Sequence, residues 1–196
     1  MWIDCEMTGL DLDKDQLVEI AVIVTDADLT ELDAGINIII RPDDLSVLEG
    51  MDPVVVDMHT SSGLLDQIPG GVTLAEAQEQ VLAYVRQHVP EARKAPLAGS
   101  SVYVDRGFLA RDMPELDAHL HYRLVDVSSV KEIARRWYPR AYFNSPEKRG
   151  NHRALGDIRE SIAELRYYRD AIFVPQPGPD SESAKATAAE HVVDHG

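Results

Sequence analysis

WIDCEMTGLD, residues 2–11, is the stretch on which the fold turns. It runs as a strand into a glycine turn at Gly9. Side chains alternate across a strand, so Asp4 and Glu6 point to one face and Ile3, Cys5 and Met7 to the other. Isolated ionised carboxylates are costly to desolvate. The strand is therefore either an edge strand with two solvated acids or one whose acids share a cation. Two carboxylates about 6–7 Å apart at the Cα level can converge on one or two hard divalent ions.

Further along, LVEIAVIVT (17–25) and GINIII (35–40) are rich in Val and Ile and read as two more strands. Short turns join them to residues 2–7, which predicts a largely antiparallel trio. MDPVVVDMHTSSG predicts a short helix with Pro53 near its start. TLAEAQEQVLAYVRQHV (73–89) predicts a helix capped by Thr73, with Glu76 three residues on. Leu74, Ala77, Val81, Leu82 and Val85 make its apolar face. APLAGSS (95–101) predicts a short buried strand, and YVDRGFLARDMP a helix that Pro114 ends. HYRLVDV (121–127) is a fifth strand, followed by a helix over SSVKEIARRWY capped by Ser128 or Ser129. ALGDIRESIAELRYYRDAIF (154–173) is a long last helix. From Pro175 the chain is rich in Pro, Ser, Ala and acids, so 175–196 is expected to be a flexible acidic tail outside a domain of 1–174. Three early strands followed by alternating strands and helices predict an α/β fold, a mixed five-stranded sheet with helices on both faces.

A length of 196 residues suits one domain with a proper core. No apolar run approaches the ~18 residues of a membrane span, and Asp4 and Glu6 interrupt any leader-like segment. The single cysteine, Cys5, cannot form an internal disulfide, so a cytoplasmic location is expected. A net charge of −15 argues against tracking along long duplex nucleic acid, which rests on neutralising many phosphates. Residues 121–153 nevertheless hold eight Lys/Arg against three acids, a net +5 that leaves −20 elsewhere. That segment reads as a solvated basic helix face or as a small patch for a short anionic ligand.

NHRALGDIRESIAEL places His152 five residues before Asp157. On one continuous helix the two would lie ~140° apart. They converge only if Asp157 is in the helix and His152 on the loop before it, where Gly150 and Asn151 allow an irregular path. Asp105, in SSVYVDRGFL, follows a short strand. Alone it reads as an acid favoured by a helix N-terminus. With Asp4, Glu6 and Asp157 it completes four carboxylates, whose charge two divalent cations would balance. His152 adds a group with an ordinary pKa of ~6.5, suited to proton transfer near neutrality.

This pattern resembles the DEDD-type 3′–5′ exonucleases that carry a histidine in the third motif and, within them, the oligoribonuclease family. The matching text is WIDCEMTGLD, MDPVVVDMHTSSGL, AGSSVYVDRGFLARDMPELDAHLHYRLVDVSSVKEIARRWYP and NHRALGDIRESIAELRYYR, spanning about residues 1–173. Polymerase proofreading subunits share the acids, but DVSSVKEIARRWYP after HLHYR is more like the oligoribonucleases. The resemblance implies a ribonuclease H-like fold. It implies hydrolysis of very short single-stranded RNA, dinucleotides especially, to nucleoside 5′-monophosphates. It implies two Mg²⁺ or Mn²⁺ ions on Asp4, Glu6, Asp105 and Asp157, directly or through water, with His152 as general base. Hard oxygen ligands favour those metals over zinc.

The resemblance also implies a homodimer. Leu10 would wedge between two bases. Ser101, Arg123, Ser128 and His59 would meet a 5′-phosphate, and Tyr122 would stack on a base from the neighbouring subunit. Plainer alternatives are Leu10 as core, the serines as helix caps and Tyr122 as a residue packed in the sheet. So short an RNA needs no long basic groove, which reconciles it with the negative charge. Two features depart from the family. Met1 alone precedes Trp2, which leaves the first strand short or puts the true start upstream. Val54 stands where an aromatic residue is expected in some relatives, and packs a base less well. The competing readings are a 3′ exonuclease for DNA or structured RNA, a binding module on the same fold, and a tail that recruits a protein partner.

Overall fold

The computed structural model describes residues 1–147 and 153–193. Its five strands are β1 (Trp2–Met7), β2 (Leu17–Ile23), β3 (Ile36–Ile39), β4 (Pro96–Gly99) and β5 (His121–Asp126). They lie in the order β3-β2-β1-β4-β5. The first three pair antiparallel, through connections over 8–16 and 24–35, while β4 joins β1 and β5 joins β4 in parallel. The helices are α1 (Pro53–Ser61), α2 (Leu74–His88), α3 (Tyr103–Asp112), α4 (Pro114–His119), α5 (Val127–Trp137), α6 (Pro139–Phe143), α7 (Ala154–Ile172) and α8 (Ser181–Glu190).

The alternation along β1 sorts the helices onto two faces. Ile3, Cys5 and Met7 pack with Ile20 and Val22 against Val81 and Val85 of α2 and Phe108 and Leu109 of α3. Trp2, Ala21, Ile23 and Ala98 pack on the opposite face against Val127 of α5 and Ala154, Ile158 and Ile162 of α7. Asp4 and Glu6 share the parity of Trp2, so they look toward α7. The expected sheet, covered on both faces, is the observed one.

Helix boundaries differ from the expectation where proline and strand–helix junctions intervene. Pro114 opens α4 rather than merely ending α3, because at a first helical position its missing N–H costs nothing. Neither Ser128 nor Ser129 caps α5. The cap is Asp126, whose carboxylate accepts the Ser128 N–H at 2.8 Å. β5 runs into α5 without a connecting residue, so the last strand residue does the capping. The segment read as a tail contains α8, capped by Asp180 through the Ser183 N–H and exposed along its whole length. Among the described residues no helix is long and apolar enough to cross a membrane.

The two sides of β4 pair differently. β4 meets β1 only through Trp2 and Ala98. Gly99 allows the close approach there, since a Cβ would stand 2.9 Å from the Ile3 carbonyl. On the other side, Pro96 pairs with His121 but Leu97 with Leu124. Tyr122 and Arg123 are looped out of the ladder on the free edge of the sheet.

Candidate active site

Three carboxylates converge where β1 faces the first turn of α7. One oxygen each from Asp4, Glu6 and Asp157 lies within 4.8 Å of the others. Glu6 is buried, while Asp4 and Asp157 are half-buried. Burial, reinforced by Asp105, Glu6 and Asp157, pushes the Asp4 carboxyl well above the usual carboxylate range. Burial and then the charges of Asp157, Glu19 and Asp105 push Glu6 up to about 8. Converging hard oxygens whose charges oppose one another are the donor set a divalent cation of the Mg²⁺ or Mn²⁺ type needs, so the residues fit such ions.

Asp105 lies outside that group of three. The Cys5 N–H of β1 donates not to β4 but to the Asp105 carboxylate on α3, at 2.9 Å. Burial raises its carboxyl to about 7, with the Cys5 N–H pulling the other way. It is thus fastened to the β1 backbone between Asp4 and Glu6, and its charge raises both of their carboxyls. His152 falls outside the described residues.

Sequence reasoning passed over Glu19, and the structure puts it at the base of the cluster. Glu19 on β2 stands directly opposite Glu6 on β1 and is 0% exposed. Its Oε1 accepts from Asn37 Nδ2 at 2.8 Å and from Arg153 Nε and Nη2 at 3.1 and 3.0 Å. The available signal was an acid inside the apolar run LVEIAVIVT, where a carboxylate needs a partner.

The turn after β1 is tied in place by polar bonds. Thr8 Oγ1 donates to Asp15 Oδ1 at 3.0 Å, and the Asp11 N–H donates to Asp15 Oδ2 at 2.8 Å. Gly9 is required because a Cβ would sit 2.4 Å from that carboxylate. Leu10, at the tip, is 72% exposed and so is not a core residue. His59, by contrast, is 0% exposed and sits with the acids. Its Nε2 donates to the Met7 carbonyl at 2.9 Å, which leaves Nδ1 facing Glu6 Oε2 at 3.9 Å.

Ser101 and Ser128 are brought together across 27 residues of sequence, with Ser101 Oγ donating to Ser128 Oγ at 3.0 Å. Neither is a helix cap. Ser101 adopts φ +53°, a left-handed conformation costly for a non-glycine residue. Asp126 holds it there, its Oδ1 accepting the Ser101 N–H at 3.0 Å as well as that of Ser128. Arg123 and Tyr122 occupy the bulge at the sheet edge. Tyr122 is 73% exposed, so it is not packed in the sheet. Its ring stacks on His121 at 4.5 Å, and the Arg123 guanidinium lies over the same ring at 5.5 Å.

Residues 1–165 match a family described as Exonuclease (RNase T). The chain is 69% identical to an oligoribonuclease of Streptomyces avermitilis, over 98% of this chain and 96% of that one. It is 67% identical to an oligoribonuclease of Streptomyces coelicolor, over 100% and 98%. Among solved structures it is similar in fold to exonuclease I, with a TM-score of 0.66 at 14% identity over 86% of this chain. A zinc-bound complex of Escherichia coli exonuclease I with single-stranded DNA gives 0.67 at 15% over 87%. The chain spans 40% of the length of each of those exonuclease I chains.

Proposed function

Since this chain belongs to the oligoribonuclease family of exonucleases, and is accordingly a 3′–5′ exoribonuclease, we propose that it hydrolyses very short RNA, dinucleotides above all, to nucleoside 5′-monophosphates. The observation that carries the reading is the convergence of Asp4, Glu6 and Asp157 within 4.8 Å. Asp4, Glu6 and Asp157 would hold two Mg²⁺ or Mn²⁺ ions, with Asp105 as the fourth acid. Bound there, such ions supply Lewis-acid stabilisation of the phosphate and of the departing 3′-oxygen. His152, the residue before Arg153 in the chain, would take the proton of the attacking water.

The remaining residues orient the substrate. Leu10, solvent-exposed beside the end of β1, would separate the two bases. The paired hydroxyls of Ser101 and Ser128 would meet the 5′-phosphate, joined by Arg123, whose planar fork suits a phosphate. His59, locked against Met7 and facing Glu6, would bound the site from the α1 side. A 5′-phosphate held at those serines with the 3′ end at the acids would select for the shortest RNAs. The test is product analysis on a 5′-labelled ladder of about two to seven nucleotides, RNA beside DNA. Cleavage of the dinucleotide is expected to exceed that of the heptanucleotide by about a hundredfold, which corresponds to roughly 2.7 kcal/mol of transition-state binding. Rates independent of length, or equal on DNA, would favour a general 3′ exonuclease. Mn²⁺ uptake without any mononucleotide product would favour a binding module.

The free edge supports a homodimer. β5 ends the sheet, and it and the helices after it expose Tyr122, Leu124, Val125, Ile133, Trp137 and Phe143. An open strand edge with an apolar surround is what proteins normally cover. Tyr122 would then stack on a base held by the other subunit. The wild-type chain is expected to sediment as a dimer at micromolar concentration. Leu124→Asp should give a monomer with dinucleotide turnover lowered by about tenfold or more. A monomeric wild type would remove this part of the reading. With its single cysteine buried in the core, the chain suits a reducing cytoplasm. Residues 1–174 would form the catalytic domain, and 175–196 an acidic tail that carries α8.

A further inference from the structure

We propose that Glu19 and Arg153 are positioning residues for the acid cluster: their buried ion pair docks the entry of α7 on β2 and thereby sets Asp157 against Asp4 and Glu6. The proposal rests on the metal-site reading above. Asp4 and Glu6 are placed by one strand, so their spacing is built in. Asp157 comes from a helix more than 150 residues later, and its distance from them depends on how that helix begins.

The start of α7 is held by side chains, not by a capping side chain of its own. Arg153 precedes the helix in an extended conformation and makes no side-chain cap. Its guanidinium instead grips Glu19 through two nitrogens, at 3.1 and 3.0 Å, and reaches Gln67 at 3.2 Å. The other oxygen of Glu19 accepts the N–H of Ala154, the first residue of α7, at 3.4 Å. One carboxylate thus binds the residue before the helix and the first peptide within it. Asn37 Nδ2, at 2.8 Å, fixes that carboxylate from β3. Asp157 follows Ala154 by three residues, about one turn, so any shift of the helix start is carried to it directly.

The pair also keeps a fifth acid out of the cluster. Glu19 stands opposite Glu6 and is fully buried. With Arg153 bound to it, the charge by which Glu19 pushes the Glu6 carboxyl up is partly offset.

Charge and position predict opposite results when Arg153 is neutralised. Removing a positive charge near an acidic cluster should, by Coulomb attraction alone, tighten cation binding. Losing the latch should weaken it, as loss of groups that orient metal ligands typically does by about 10–100-fold. The measurement is Mn²⁺ affinity of the full chain by isothermal titration at about pH 8, with circular dichroism and melting curves as the folding control. Arg153→Gln is expected to bind Mn²⁺ about tenfold or more weakly, and to lower kcat for a dinucleotide with KM little changed. The double variant Glu19→Gln with Arg153→Gln leaves the net charge of the pair at zero and buries no lone carboxylate. It is expected to recover part of the loss while still binding more weakly than wild type. If Arg153→Gln alone does not fold, the double variant decides, because charge predicts no change in it. Wild-type affinity in either folded variant, or tighter binding in Arg153→Gln, overturns the proposal while leaving the metal site standing. A wild-type chain that takes up no Mn²⁺ overturns the metal-site reading itself, and the proposal with it.

Discussion

Replacing Asp157 with alanine is expected to lower dinucleotide turnover by about a thousandfold or more, the loss of roughly 4 kcal/mol of transition-state stabilisation. Of the three converging acids, Asp157 alone comes from outside β1. Without it, Asp4 and Glu6 remain on one strand with nothing opposite to close a cation site. The fold should survive. α7 is anchored by Ala154, Ile158 and Ile162 in the core, by the Arg153–Glu19 pair and by Lys131 against the buried Glu164 at 3.1 Å. In the absence of divalent ions the variant should melt no lower than wild type, because the charge of Asp157 is one of those that oppose ionisation of Asp4 and Glu6. Rates on a 5′-labelled dinucleotide, with melts in chelator, check both halves. Turnover within about tenfold of wild type would end the assignment of Asp157.

The parts of this site that sequence could reach are those set by local periodicity. The alternation of WIDCEM fixes which face Asp4 and Glu6 occupy, whatever the rest of the chain does. Gly9 and the acids after it mark a turn, and the long apolar pattern of 154–173 puts Asp157 in a first helical turn. What sequence could not supply is register between distant segments. Glu19 is unremarked in LVEIAVIVT until β2 pairs with β1 and brings it opposite Glu6, and until Arg153 arrives from 134 residues away. Likewise, periodicity alone places Tyr122 and Arg123 inside a fifth strand, and only the resemblance gives them substrate roles. Only the slip between β4 and β5 turns them both outward. Asp126 was overlooked for a different reason. Asp and Ser are comparable N-caps, and the choice between them depends on whether the strand stops one residue earlier or later. Leu10 is exposed because its turn is closed by Asp15, four residues further on, a bond no periodicity reveals.

Divalent ions are expected to stabilise the folded chain strongly at about pH 8.5 and hardly at all at about pH 5.5. The sign follows from the raised carboxyls. Glu6 rises from 4.5 to about 8 on folding, Asp105 from 3.8 to about 7, and Asp4 well above 3.8. Between the unfolded and folded values the native state binds more protons than the unfolded chain, so stability of the ion-free protein falls as pH rises through that window. The protons that relieve the repulsion leave Asp105 and Glu6 as pH rises through about 7 and about 8, and cations can then take their place. Cations and protons compete for the same oxygens, so uptake of Mn²⁺ near neutrality should release protons, and apparent affinity should climb with pH until Glu6 is ionised at about 8. With a few kcal/mol at stake, the melting temperature in excess Mn²⁺ should exceed that in chelator by about 5–15 °C at the higher pH. Chelation should abolish turnover at every pH. Melting curves with and without Mn²⁺ across the range provide the check. A stabilisation that does not vary with pH would mean that the ions bind somewhere other than at the buried carboxyls of β1, since only a site whose acids hold protons in the folded state makes the cation compete for its place.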